Sequence, residues 1–212
     1  MPDLAETLRL VEVMCARLCH DLGGLIGTVG NAIDMVAEDA NRDDEVLAFA
    51  SSAARMLSQR LRLLRAAWGP ETDPVALPAL IRLAAPPLAT RRIALDTRPL
   101  PPDCRFPPAV ARVVLNLIVL AGDCLPKGGT IVLLGESSDL LIRIDGQDAA
   151  WPAGFAACMN DEAAALAALG ALASAQSAQM PLTALLALSR KLRLSPVLSA
   201  ASGVAAVRLS AA

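Results

Sequence analysis

Apolar residues at the start of the chain recur in alternating steps of four and three. Leu4, Leu8, Val11, Cys15, Leu18, Leu22, Leu25, Val29, Ala32 and Val36 keep one phase as the a and d positions of a heptad, which predicts a long helix with a single apolar seam. At about 1.5 Å per residue it reaches roughly 50 Å. A polar turn at Asn41-Arg42-Asp43-Asp44 follows. Leu47, Ala50, Ala54, Leu57, Leu61, Leu64 and Trp68 then repeat the spacing as far as a helix stop at Gly69-Pro70. Two seamed helices in a hairpin make half of a four-helix bundle, so a homodimer is expected to complete it.

From Glu71 the texture changes to prolines and short mixed elements. The patterns predict helices over 76–85, 108–121, 161–175 and 182–192, and strands over 92–96, 130–134, 140–144, 196–200 and 204–209. This mixed order predicts an α+β fold: a hairpin domain over 1–69, then a two-layer α/β sandwich over 70–212 with helices on one face of a sheet.

Composition narrows the function. Hydrophobic residues make up 55% of the chain and aromatic ones only 2%. The net charge is -2 and the isoelectric point about 5.4, and no basic patch is interleaved with aromatics, so nucleic acid is not the expected partner. The N-terminus lacks the basic start and apolar run of a signal peptide. The most apolar stretch, Ala163 to Ala175, is too short for a bilayer, so no membrane span is expected. Five cysteines without a CxxC pair read as reduced thiols in the cytoplasm.

His20 is the sole histidine, so any imidazole chemistry belongs to it. With Leu18 at d and Leu22 at a, His20 falls at f, opposite the seam and out in solvent. An exposed neutral ring is a nucleophile with an unhindered nitrogen. Asp21 is placed to hold one ring nitrogen as N–H while the other attacks. Gly23, Gly24, Gly27 and Gly30 follow, and each costs an exposed helix about 1 kcal/mol relative to Ala. The seam keeps its phase through them, so the helix is expected to continue. His20, Gly24, Gly27 and Asn31 then form one f/c stripe whose missing side chains suggest a docking wall. Cys15, in the seam, Cys19, half-buried at e, and His20 do not converge, so no metal site is expected.

Arg17-Leu18-Cys19-His20-Asp21-Leu22 resembles the phosphoacceptor motif of sensor histidine kinases, and most closely that of ChpT-type histidine phosphotransferases. The resemblance covers the whole chain. It implies a dimerising hairpin with His20 phosphorylated and Asp21 as its acidic neighbour, then a degenerate kinase-type ATP-binding domain. It also implies receiver domains of a hybrid kinase and of response regulators as partners, with Mg²⁺ carried by the receiver.

Arg17, one turn before His20, is placed to reach the phosphate or the acidic receiver pocket. Ala111 to Ile118 resembles the kinase N box, but Leu120 stands where an asparagine would hold magnesium-ATP. Asp145-Gly146 resembles the box that faces adenine. Met180-Pro181-Leu182-Thr183-Ala184 replaces the last glycine-rich box, so ATP is not expected to bind and no cofactor is expected on this chain. Leu25 replaces the usual proline and Gly24 the usual Thr or Asn, which argues against a phosphatase role. A catalytically inactive dimeric scaffold that binds response regulators is the alternative.

Overall fold

Four glycines within eight residues do not break the first helix, because its apolar positions continue in phase on both sides. In the computed structural model, which describes residues 4–38, 43–70, 73–172, 174–197 and 206–211, α1 runs unbroken from Leu4 to Glu38. Helix α2 (Asp43–Trp68) packs back along it. Asn41 and Arg42 of the expected turn lie outside the described residues. At Gly69 the chain leaves the helix: its N–H donates to the Arg65 carbonyl, and a Cβ there would stand 2.4 Å from that oxygen.

The seam is only partly covered within one chain. Leu4, Leu8, Val11 and Cys15, expected inside, are exposed, and so is Cys19. At 26 residues α2 is shorter than the 35-residue α1, and the first turns of α1 bury a neighbouring stripe instead. There Leu10 and Val13 pack against Leu169 and Ala178 of the α/β part. On α2 the d positions Ala50, Leu57 and Leu64 are half-buried or buried, while the a positions Leu47 and Leu61 stay bare.

The rest of the chain is a five-stranded mixed sheet of order β2-β4-β5-β7-β6, made of β2 (Ile93–Asp96), β4 (Gly129–Glu136), β5 (Asp139–Asp145), β6 (Leu192–Val197) and β7 (Ala206–Ala211). The pair β2–β4 is parallel and the other pairs are antiparallel. A two-stranded pair of β1 (Val75–Ala76) and β3 (Arg105–Phe106) stands apart. Helices α3 (Leu77–Ala89), α4 (Pro108–Asp123) and α7 (Gln179–Ser189) share the core with the sheet. The short α5 (Phe155–Cys158), α6 (Glu162–Gly170) and a 3₁₀ turn (Ala175–Ala178) fill the approach to α7. Along β5, Leu140, Ile142 and Ile144 are fully buried and alternate with half-exposed neighbours, as one-sided cover requires.

Several boundaries shift from those predicted. Helix α3 continues through Pro86 and Pro87 to Ala89, because Pro87 and Leu88 are buried and packing outweighs two lost N–H donors. Helix α6 stops at Gly170, short of the expected 175, and α7 stops at Ser189. Strand β6 begins at Leu192, while 198–200 and 204–205 of the expected last strands lie outside the described residues.

Besides the contact of Leu10 and Val13, two further joints tie the parts together. The end of α2 is built into the α/β core, where Leu63 and Ala67 pack with α3 and α4. Asn116 of α4, wholly buried, donates to the carbonyls of Ala67 and Arg112, and its own oxygen accepts from the Gln179 amide. The second joint is ionic. Arg17, 2% exposed, donates to Asp21 on its own helix (3.0 Å), to Asp123 at the end of α4 (2.9 Å) and to the Gln176 carbonyl. Arg60 of α2 also reaches Asp21 (2.8 Å), and Arg91 reaches Asp123 (2.9 Å). Burial pushes the Asp21 carboxyl up, but Arg60 and then Arg17 outweigh it and hold it below the usual carboxylate range.

Two outcomes follow from these joints. Replacing Asn116 with Ala should cost about 2–3 kcal/mol, read by chemical denaturation, because buried carbonyls and the Gln179 amide lose partners at once. Asp21 has a folded pKa below its unfolded one, so its stabilisation is complete above the ordinary carboxylate value, about 4, and is lost as pH falls through the folded value. The melting temperature should therefore drop steeply only in acid. Asp21→Asn should make that drop shallower; it should not remove it, since Asp96, held at about 2 by hydrogen bonds from Arg98, also contributes.

Candidate functional site

One stripe of α1, in steps of three and four, carries Leu10, Val13, Arg17, His20, Gly24, Gly27 and Asn31. Its first half is roofed by the α/β part: Leu10 and Val13 meet α6 and the 3₁₀ turn, and Arg17 is tied to Asp123 and Gln176. Its second half is open. A Cβ built at Gly24 or Gly27 would have no neighbour within 4 Å, and Asn31 is exposed. His20 sits on the border between the two, with 55% of its side chain exposed.

The imidazole is held from both sides. The Asp21 carboxylate divides its oxygens: Oδ2 accepts from Arg17 and Arg60, and Oδ1 lies 3.5 Å from His20 Nδ1. A carboxylate only accepts, so the ring proton belongs on Nδ1. Nε2 then keeps its lone pair, and the side-chain amide of Gln176 donates to it at 2.9 Å. This is the tautomer in which the outward nitrogen is a nucleophile.

His20 stands at the mouth of a cleft of about 800 Å³ between the hairpin and the α/β part. Arg60, Arg91 and Asp123 line its polar side, and Leu120, Met180, Pro152 and Leu172 its apolar side. Cys124, also on the wall, is pushed up to about 12 by burial and by its neighbour Asp123, which makes it a poor nucleophile. Where the kinase resemblance would put nucleotide ligands, the chemistry differs. Both amide hydrogens of Asn116 are used on backbone carbonyls, Leu120 is a buried hydrocarbon, and Met180 to Ala184 form a regular turn of α7 in place of a glycine loop. These residues do not fit magnesium-ATP.

The sequence-derived site is thus partly reordered. His20, Asp21, Gly24, Gly27 and Asn31 lie on or beside one stripe, as their spacing requires. Arg17 does not belong with them as a partner-binding residue. It is buried, and its guanidinium is bound to Asp21, Asp123 and Gln176, out of reach of any docking protein. His20 is not on a bare outer wall either, since Gln176 reaches it from the α/β part.

Asp123 and Gln176 escaped the sequence reading, and Arg60 reads from the sequence only as part of the polar face of α2. For Arg60 a signal existed: it and Asp21 both fall at g, the flanking positions where facing helices pair opposite charges. Asp123 and Gln176 are 106 and 159 residues from Arg17, and no local pattern links them to it.

Residues 81–201, more than half of the chain, match the family described as histidine phosphotransferase C-terminal domain. Protein phosphotransferase ChpT of Brucella abortus (strain 2308) is 25% identical over 149 residues, which is 66% of this chain and 66% of that protein. The solved 1.7 Å structure of a bacterial phosphotransferase superposes with a TM-score of 0.73 at 22% identity, covering 95% of each chain, and so shares the fold. Among the described residues no helix is long and apolar enough to cross a membrane. On the extent of the family match, this chain belongs to the histidine phosphotransferase family.

Proposed function

We propose that this protein relays a phosphoryl group through His20 between the aspartates of receiver domains in a phosphorelay. The observation that carries the reading is the state of the only imidazole: more than half exposed, with Nδ1 facing a carboxylate and the lone pair on Nε2, where only the exposed Gln176 amide has to give way for a phosphoryl group to approach. The Nε2 lone pair attacks the phosphorus of a receiver's aspartyl phosphate. The N–P bond forms as the P–O bond breaks, and that bond pair leaves on the aspartate. The Nδ1 proton stays, and the charge the ring acquires faces Asp21. Delivery to a second receiver is the same step reversed.

Such a reaction asks mainly for positioning and charge stabilisation. The receiver brings Mg²⁺, and ATP has no part. Gly24, Gly27 and Asn31 form the floor on which the receiver's backbone approaches the ring, beneath the edge of the α/β part. The division into a phosphotransfer hairpin, 1–69, and an α/β domain, 70–212, is a division of labour in this reading, and the setting is the cytoplasm. The bare Ile26 and Ile33 on α1 and Leu47 and Leu61 on α2, each pair spaced by whole heptads, favour a second copy of the chain as their cover.

Mixing the protein with a phosphorylated receiver should place acid-labile label on the wild type and none on His20→Ala, whose fold should hold. Gly27→Gln should melt no lower than wild type, since helix propensity improves, yet take label more slowly. Label on His20→Ala would defeat the reading, and wild-type transfer by Gly24→Gln/Gly27→Gln would remove the docking floor from it. A receiver that binds but passes no label would leave the scaffold alternative. The chain should run as a dimer by light scattering, and Leu61→Glu as a folded monomer, because a buried unpaired charge costs several kcal/mol in the dimer alone, about 3–5 by the usual range.

A further inference from the structure

We propose that Gln176 is a positioning residue for His20: its side-chain amide, delivered by the α/β part, holds the imidazole in the Nδ1–H tautomer, so that the lone pair stands on Nε2 and attacks as the amide lets go of it. This rests on the reading of His20 as the phosphoacceptor and gives the α/β part a direct role in the chemistry.

The Asp21 contact to the ring is long, 3.5 Å, and a bond of that length fixes a tautomer only weakly. The Gln176 contact, at 2.9 Å, has ordinary hydrogen-bond geometry and is the stronger hold. Its backbone is not free to drift. The Gln176 carbonyl accepts from Arg17, which is pinned to Asp21 and Asp123, and Ala178 two residues on is buried against Val13. One guanidinium therefore fixes the groups on both sides of the ring.

A carboxamide suits this place for two reasons. It donates without adding charge, so it selects the lone pair on Nε2 without attracting a proton there. It also carries two N–H hydrogens on a rotatable side chain. As the N–P bond forms, the amide can pass from the nitrogen to a phosphoryl oxygen, so the donor that orients the nucleophile before attack meets developing negative charge afterwards. A glutamate has the same shape and the opposite effect. It only accepts, so it would draw the ring proton to Nε2, fill the attacking lone pair and repel the phosphoryl group.

His20 being the only histidine, nitrogen NMR of the isotope-labelled ring reports this site alone. At a pH where the ring is neutral, wild type should show Nδ1 protonated. Gln176→Ala should give a mixture, and Gln176→Glu should move the proton to Nε2. Transfer from a phosphorylated receiver should slow several-fold in Gln176→Ala and about ten-fold or more in Gln176→Glu. Both variants should melt within about 2 °C of wild type, since the side chain is exposed and the carbonyl that Arg17 uses is kept. An unchanged tautomer in both variants, or wild-type transfer by Gln176→Glu, overturns the proposal. If wild type itself takes no label, the phosphotransfer reading falls, while the ring spectra still decide whether Gln176 sets the tautomer.

Discussion

A guanidinium taken out of water must be met by acceptors on every side, and this chain is arranged around one such group. Arg17 is 2% exposed, and its partners come from α1, from the end of α4 and from the backbone of the 3₁₀ turn. Satisfying it fixes the distance between the hairpin and the α/β part at the height of His20, one turn further along. Burial lowers the affinity of Arg17 for its proton, but Asp123 and Asp21 more than restore it, so the charge persists. Opening the joint would part Arg17 from Asp123 and from the Gln176 carbonyl at once, and this opposes free swinging of the α/β part.

The hydrophobic contribution acts in the same direction. Leu63 and Ala67 belong to the α/β core as much as to the hairpin, and Asn116 fastens the Ala67 carbonyl to α4. The residue that resembles a kinase N-box asparagine thus serves as a buried bracket between parts. Around it, Leu120 is a buried hydrocarbon, and α7 is regular helix from Gln179. At the rim of the cleft Gln176 meets the imidazole.

The sequence made some of this legible and hid the rest for physical reasons. Helix periodicity is local, so α1, α2 and their seam could be read directly, as could the exposure of His20 at f and the unbroken helix through the glycines. Strands β4 and β5 showed as short apolar runs on either side of a polar turn. The burial of Arg17 could not be read, because an arginine at a polar heptad position is ordinarily solvated, and its burial depends on Asp123 and Gln176 from distant segments. The exposure of Leu4, Leu8 and Val11 was hidden likewise: a seam pattern says that a residue wants cover and not which chain supplies it. Arg60 was within reach of a stricter heptad reading, through the matching g position of Asp21.

The open glycines also bear on how α1 moves. Gly23, Gly24, Gly27 and Gly30 have nothing around them that a methyl group would strike, so packing gives no reason for their lack of side chains. Together they forgo about 3–4 kcal/mol of helix propensity, a large share of what keeps a domain folded. The turns just past His20 are therefore the softest of α1, and they are bounded by the Arg17 joint on one side and by the α2 contacts on the other. Amide hydrogens there should exchange with solvent well before those of α4, which is buried along most of its length. The softest stretch of α1 thus lies just past the imidazole, while the ring itself is held from the firmer side.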